Sequence, residues 1–425
     1  MKTFPWKQTA GLFFFILIFW MYFAGVILVP FHPDESTQIY MSADTSQHPF
    51  DLVYNPPMEM SDRLRYRLLD SPITRTLIGW GLTLQGKHSI PTDWNWSTTW
   101  IANELAGALP TSDVLLAARF SVAWLFPFSC LFLFLAVRQI DNKGSALIAV
   151  ILMAFNSLIL LHTRRAMAES SLICFFCASL WVLVCDPFRT IPSALFLGLA
   201  VNSKQTAIPY AGLGVLTIFF QKADSIRKKF WNLFLYLLIL LVIFCILNPV
   251  FWKSPIEAVT KSVDLRAELS SRMEADYRVN HNPMEQGITL LVRVFFQPPA
   301  CADVLNYQAE TKNQEDRYFS QPLNNLTQGF INGTGLLILT VLGYVFLIRK
   351  LSNKKTTNRY STVMFFAITL VSLVMLTFFT PVPFQRYYII LIPLFSTAQA
   401  AAITSLGKLI FQSKQKEAAG MGSLQ

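Results

Sequence analysis

Apolar residues in this chain gather into ten runs, near 8–30, 114–137, 144–162, 169–185, 191–203, 205–220, 231–250, 331–348, 360–380 and 387–407. A helix rises about 1.5 Å per residue, so about 20 apolar residues cross a hydrocarbon core of about 30 Å. In lipid every backbone polar group must be paired internally, and a helix does this within one segment. The pattern predicts an all-α integral membrane protein with about ten transmembrane helices. The first run leads into Pro30 and Pro33 and shows no small-residue cleavage site, so it reads as an anchor rather than a removed signal peptide. The fifth and sixth runs are short, and whether 191–220 makes one span or two is decided by charge.

With two spans there, both termini share one side. That side collects 17 Lys and Arg against four Asp and Glu, leaving 18 cations and 21 acids for the other. A single span would move the basic 221–230 and 349–359 segments to the acidic side, against the positive-inside tendency. Two spans and cytoplasmic termini follow. The chain then forms a single polytopic membrane domain over 1–425, with two long extracytoplasmic loops, 31–113 and 251–330. These loops carry helical patterns of their own. Ser71-Pro72 signals a helix start, and Ile73, Leu77, Trp80 and Leu84 then share a face at helical spacing. Ile101, Leu105 and Leu109 repeat the pattern, as do Ile256, Val259 and Val263. Such amphipathic helices either lie along the membrane surface or pack on the bundle.

Composition agrees: 53% of the 425 residues are hydrophobic and 14% charged, against nearer a quarter charged in soluble domains. A soluble enzyme, a fibrous protein and a disordered chain are excluded. The net charge of +10 belongs mostly to the basic cytoplasmic loops, where it suits anionic lipids; no nucleic-acid partner is needed. Cys174 and Cys177 lie in an apolar run and read as packing. His48, His88, His162 and His281 show no metal-ligand spacing, and no phosphate-cradling glycine loop is present. Neither a metal nor another cofactor is expected.

Four places carry candidate chemistry. Asp34 and Glu35 follow the first span directly; two adjacent carboxylates can supply a general base, or simply open a hydrated loop. Lys204 stands after only eleven apolar residues, Ile191 to Val201, about 16 Å of helix. That places it below the outer interface, where a cation marks a cavity or an anionic ligand unless it snorkels to the headgroups. Arg164 and Arg165 are unexpected on the outer side. Arg165 and Glu169 stand four apart and can pair on one helical face, leaving Arg164 for a phosphate or for lipid headgroups. Arg386 is the sole cation of the last outer turn, beside Tyr387 and Tyr388. A carboxylate opposite several cations is what transfer from a phosphate-linked donor requires: one group takes a proton while the others neutralise the departing phosphate.

Taken in order, Asp34-Glu35, Arg165-x-x-x-Glu169, Gly198-Leu199-Ala200-x-x-x-Lys204, Asn248-Pro249-x-x-Trp252 and Gln385-Arg386-Tyr387-Tyr388-x-x-x-x-Pro393 resemble the GT-C superfamily of polyprenyl-phosphate-sugar glycosyltransferases. The branch resembled is that of the protein O-mannosyltransferases and the lipid A aminoarabinose transferases. The resemblance spans residues 31–393 and implies an inverting glycosyltransferase with a dolichyl- or undecaprenyl-phosphate sugar donor. It implies Asp34 as catalytic base with Glu35 in support, and Lys204, with Arg165 or Arg386, on the lipid phosphate. Arg164, Glu169 and Tyr387 complete the expected donor site. Unlike many members, the chain carries no large soluble domain after the last span. Selection of the acceptor hydroxyl, on a protein, a lipid or a polysaccharide, would then fall to the two loops. Some members bind a divalent metal, but no ligand set beyond the acidic pair is visible.

Two other classes share the composition. A transporter or lipid flippase would show inverted repeats and paired broken helices, which are not visible. A non-catalytic membrane assembly subunit would tolerate loss of Asp34. With no eukaryotic targeting signal and a compact build, a bacterial inner membrane is expected rather than the endoplasmic reticulum.

Overall fold

A computed structural model describes residues 6–57, 59–220, 225–277, 282–302, 304, 307–352, 358–380 and 382–421, with side chains from Phe15 to Ser413 and at Gln415 within these ranges. His281 lies outside the described residues. Among those described, regular structure is entirely helical.

The first apolar run forms α1 (Trp6–Ala24), which tightens into a short 3-10 turn over Gly25–Leu28 before the chain turns sharply. Helical segments Phe15–Leu28 and Pro33–Ser46 are bent by 97°. The cause is local. Pro33 cannot donate to a preceding turn but suits a helix start, and His32 caps α2 (Pro33–Met41). The polar segment that follows holds α3 (Asp62–Leu69), α4 (Ile73–Leu84) and α5 (Trp100–Leu105). Helices α6 (Ser112–Ala123) and α7 (Phe126–Ile140) together make one 29-residue apolar span.

The next apolar runs form shorter helices. The 144–162 run is broken into α8 (Lys143–Ala154) and α9 (Ser157–His162), because the Asn156 side chain accepts from the N–H groups of Leu158 and Ile159 and restarts the helix. Then come α10 (Ala168–Val184), α11 (Thr190–Val201) and α12 (Ile208–Phe220), followed by the long α13 (Ile226–Leu247). The second polar segment holds α14 (Pro255–Tyr277), α15 (Pro283–Leu291) and α16 (Gln308–Phe319). Three long apolar helices close the chain: α17 (Phe330–Ser352), α18 (Arg359–Phe378) and α19 (Leu391–Met421).

All ten apolar runs are therefore helical. Among the described residues five helices are long and apolar enough to cross a membrane, six if the bent first pair counts as one span. The helices of the 144–162, 169–185, 191–203 and 205–220 runs are shorter than a full span.

In the core α10 packs on α7 and α11, α8 on α7 and α19, and α17 on α19. The last contact is very close: a methyl added at Gly343 would sit 1.9 Å from the Ala398 carbonyl oxygen. Helix α13 is the opposite case, packing on α11 and α12 with a row of exposed residues from Phe230 to Ile246.

The loop helices form where the sequence predicts, and most of the apolar residues that share a face in the sequence are exposed. In α4 the buried apolar side chains are Ile73, Ile78 and Leu82, while Trp80 and Leu84 are exposed. Gly79 and Gly81 let α4 press onto Thr45 and Ser121, so the glycine side faces inward. Ile101, Leu105, Ile256, Val259 and Val263 are likewise exposed, and α14 buries Ala258 and Leu265 instead.

Candidate active site

The bend after α1 brings Asp34 and Glu35 out on the first turn of α2, where the helix dipole favours negative charge. The two carboxylates then part company. Glu35 is fully buried. Arg119 of α6 grips it through two contacts, Nε to Oε1 and Nη2 to Oε2, both at 2.8 Å. The Ala166 N–H donates to Oε1 at 2.9 Å and the His32 N–H to Oε2 at 3.1 Å. The remaining arm of Arg119 donates to the Val29 carbonyl at 2.8 Å. One carboxylate thus fastens the bend to α6 and to the turn before α10. Asp34 is about one-third exposed (side chain 32%) and takes a direct hydrogen bond from Nη1 of Arg386. Its own N–H donates to Nδ1 of His32 at 3.1 Å, which fixes the turn that carries it.

Arg386 comes from the other end of the chain, on a 3-10 turn, Gln385–Ile390, that leads into α19. Gln385 anchors that turn, donating to the Arg293 carbonyl at 2.7 Å and accepting from the Ala300 N–H at 2.6 Å. Its neighbour Tyr387 presents a ring to two cations, Lys204 Nζ at 4.8 Å and the Arg386 guanidinium at 5.6 Å. Lys204 stands where α11 has ended at Asn202 and the backbone is extended (φ −160°, ψ 136°). Asn202 is held by the Asn248 side chain at 2.6 Å and by the Ile73 N–H at 3.1 Å. The Lys204 ammonium donates to Oε1 of Glu169 at 2.7 Å; Glu169 is buried and Lys204 about one-fifth exposed. Asp34, Arg386, Tyr387, Lys204 and Glu169, from four separate stretches of sequence, thus form one alternating cluster of charges.

The two adjacent arginines lie elsewhere. The turn Thr163–Met167 between α9 and α10 is not helical, so Arg165 and Glu169 do not share a helical face, and the pairing expected from their spacing is replaced by Glu169 with Lys204. Arg165 is fully buried and donates to the Pro30 and Cys301 carbonyls at 3.1 and 2.7 Å. Arg164 donates to the carbonyls of Tyr22 and Met21 and to the Asn324 side chain, at 3.0, 3.2 and 3.0 Å. It borders a separate cavity of about 220 Å³ lined also by Tyr22, Gly25 and Leu323. Both guanidiniums tie backbone carbonyls of the first segment to the second loop.

Within electrostatic reach of Asp34 stands a second group of polar residues. Asp93 accepts from Tyr66 at 2.7 Å and from Thr37, one turn beyond Asp34, at 2.8 Å. Burial, with the nearby charge of Asp34 adding to it, pushes the Asp93 carboxyl above the usual carboxylate range against those two hydrogen bonds. Among the described residues no three His, Cys, Asp or Glu are grouped to hold a metal ion.

Neither a protein-family model nor a curated protein sequence matches the chain. Three solved structures to which it is similar are of GT-C superfamily members. The archaeal oligosaccharyltransferase AglB of Archaeoglobus fulgidus, solved with an inhibitory peptide and a dolichol-phosphate, aligns over 95% of this chain and 51% of its own, with 10% identity and a TM-score of 0.49. The chain thus spans about half the length of that enzyme. ArnT of Cupriavidus metallidurans, bound to undecaprenyl phosphate, aligns over 94% of this chain and 78% of its own (13% identity, TM-score 0.36). The S. cerevisiae protein O-mannosyltransferase Pmt1-Pmt2 complex, bound to its sugar donor, aligns over 61% and 35% (16% identity, TM-score 0.37). These are likenesses of outline.

Sequence reasoning leaves out Arg119, Asp93, Tyr66 and Thr37. Arg119 carries a usable signal, a single cation inside the apolar 114–137 run, which by default needs a buried partner. Tyr66, Thr37 and Asp93 stand in polar stretches where such residues are common, and only the fold joins them.

Proposed function

We propose that the chain is an inverting glycosyltransferase that moves a sugar from a polyprenyl-phosphate carrier to an acceptor hydroxyl. The observation that carries this reading is the Asp34–Arg386 contact beside the Lys204–Glu169 pair: an accessible carboxylate set against two cations next to apolar helices. Asp34 takes the proton of the acceptor hydroxyl as its oxygen attacks the anomeric carbon. The bond from that carbon to the phosphate oxygen breaks, and the phosphate leaves with one more negative charge. Lys204 and Arg386 neutralise it, with Tyr387 between them. A retaining double displacement needs a second free carboxylate as nucleophile. Glu35 is unsuited to that role, being enclosed by Arg119 and two backbone N–H groups, and acts here by holding the α2 start in place.

In the same reading the ten apolar runs cross a bacterial inner membrane ten times with both termini in the cytoplasm. The segments 31–113 and 251–330 form the outer work surface and select the acceptor, a protein, lipid or polysaccharide hydroxyl. The exposed apolar residues of α4, α5 and α14 suit helices resting in the headgroup layer. The test is turnover of a panel of radiolabelled polyprenyl-phosphate sugars by the purified protein in lipid nanodiscs, with the anomeric configuration of the product read by NMR. Folded protein that turns over none of them, or retains configuration, contradicts the proposal.

A further inference from the structure

Four charges meet around Tyr387, and they cancel: Asp34 and Glu169 against Arg386 and Lys204. The acids differ in what they can do. Glu169 is 1% exposed, and while Oε1 holds Lys204, Oε2 is buried with no hydrogen-bond partner. A carboxylate oxygen left in that state is costly, and it is sustained by cations: Lys204 in contact and Arg386 within electrostatic reach. Asp34, by contrast, is one-third exposed and can be re-solvated. Lys204 has a flexible stem, three donors and partial exposure.

We propose that Glu169 and Asp34 are built-in stand-ins for the donor's phosphate. They occupy the two cations in the empty protein, and the arriving phosphate displaces Asp34 and leaves Glu169 in place. The inference rests on the transfer reading above and adds its regulation. A phosphodiester brings one negative charge into a neutral cluster, so one resident anion must yield. Glu169 is sealed in the protein and cannot reach water. The guanidinium of Arg386 therefore turns from Asp34 to the phosphate, and the Asp34 carboxylate is freed to accept a proton only once a donor is bound. Donor binding before acceptor attack follows directly. Glu169 in turn weakens the hold on phosphate, which lets the more highly charged product phosphate depart.

The sign of one measurement tests this. Undecaprenyl phosphate binding is measured on the full-length protein in nanodiscs for wild type, Glu169→Gln, Asp34→Asn and Lys204→Met, with thermal unfolding followed alongside. Loss of either stand-in leaves one uncompensated cation. Unscreened, at about 6 Å and an effective dielectric of about 20, that favours phosphate by about a hundredfold; salt screening at a partly exposed site leaves about tenfold. Glu169→Gln and Asp34→Asn should each bind about tenfold tighter, and Lys204→Met weaker. If Glu169 only props Lys204 in place, Glu169→Gln binds more weakly, and the inference is overturned. Should Glu169→Gln fail to fold, Asp34→Asn alone decides: binding equal to or weaker than wild type overturns it. Folded wild-type protein that binds no undecaprenyl phosphate defeats the transfer reading itself, a distinct result.

Discussion

Arg119 offers the sharpest structural prediction. Replacing it with methionine keeps much of the volume in α6 but removes the guanidinium that meets both oxygens of Glu35 at 2.8 Å. The Glu35 side chain is 0% exposed and that of Arg119 5%, so water cannot take over the lost contacts. Breaking a buried ion pair by deleting one partner costs about 3–5 kcal/mol, because the other charge is left stranded. Loss of the bond to the Val29 carbonyl adds about 1 kcal/mol. Adding Glu35→Gln to Arg119→Met removes the stranded charge while an amide oxygen can still accept from a backbone N–H, so the double variant should recover more than half of the loss. The assay is unfolding of wild type, both single variants and the double variant in mixed micelles, followed by tryptophan fluorescence and analysed as a double-mutant cycle. A loss below about 1 kcal/mol for Arg119→Met, or a double variant no more stable than Arg119→Met, would refute the assignment of Glu35 as a clamp.

Two further outcomes follow from single contacts. At Gly25 an added methyl would lie 2.2 Å from Cζ of Arg164, whose donors are fixed on Tyr22, Met21 and Asn324; Gly25→Ala should cost about 1–3 kcal/mol by overpacking, seen as a lower unfolding midpoint. Asp93 has a pKa raised above its ordinary 3.8 by burial, so between 3.8 and the raised value the folded protein binds more protons than the unfolded chain. Its contribution to stability is therefore greatest below 3.8 and is lost as pH rises through the folded value. Asp93→Asn should flatten that part of the stability profile, and an unchanged slope would show that Asp93 is not the group responsible.

Helix positions were legible because lipid-scale apolar runs leave the backbone little choice but a helix. The interruptions were less so. The restart at Asn156 depends on one side chain outcompeting the helix for two N–H groups, and the choice between membrane surface and bundle, left open for α4 by its spacing, turns on glycines that pack against Thr45 and Ser121. At the candidate site the acid after the first span and the distant cations could be named from the chain, since ionisable residues beside apolar runs are costly without a purpose. Their pairing could not. The Arg165–Glu169 spacing suggested a helix where the chain makes a turn, and Arg386 reaches Asp34 across 352 positions of sequence. The different fates of Asp34 and Glu35 are set by burial against α6, which adjacent positions in a sequence do not reveal.

The most direct test of the account is sugar transfer by Asp34→Asn protein that folds like wild type and still binds the polyprenyl-phosphate carrier. Transfer should fall by about 10²-fold or more, the scale of a lost general base, while carrier binding is kept or strengthened. Transfer at the wild-type rate by that variant would contradict the claim that Asp34 takes the acceptor's proton.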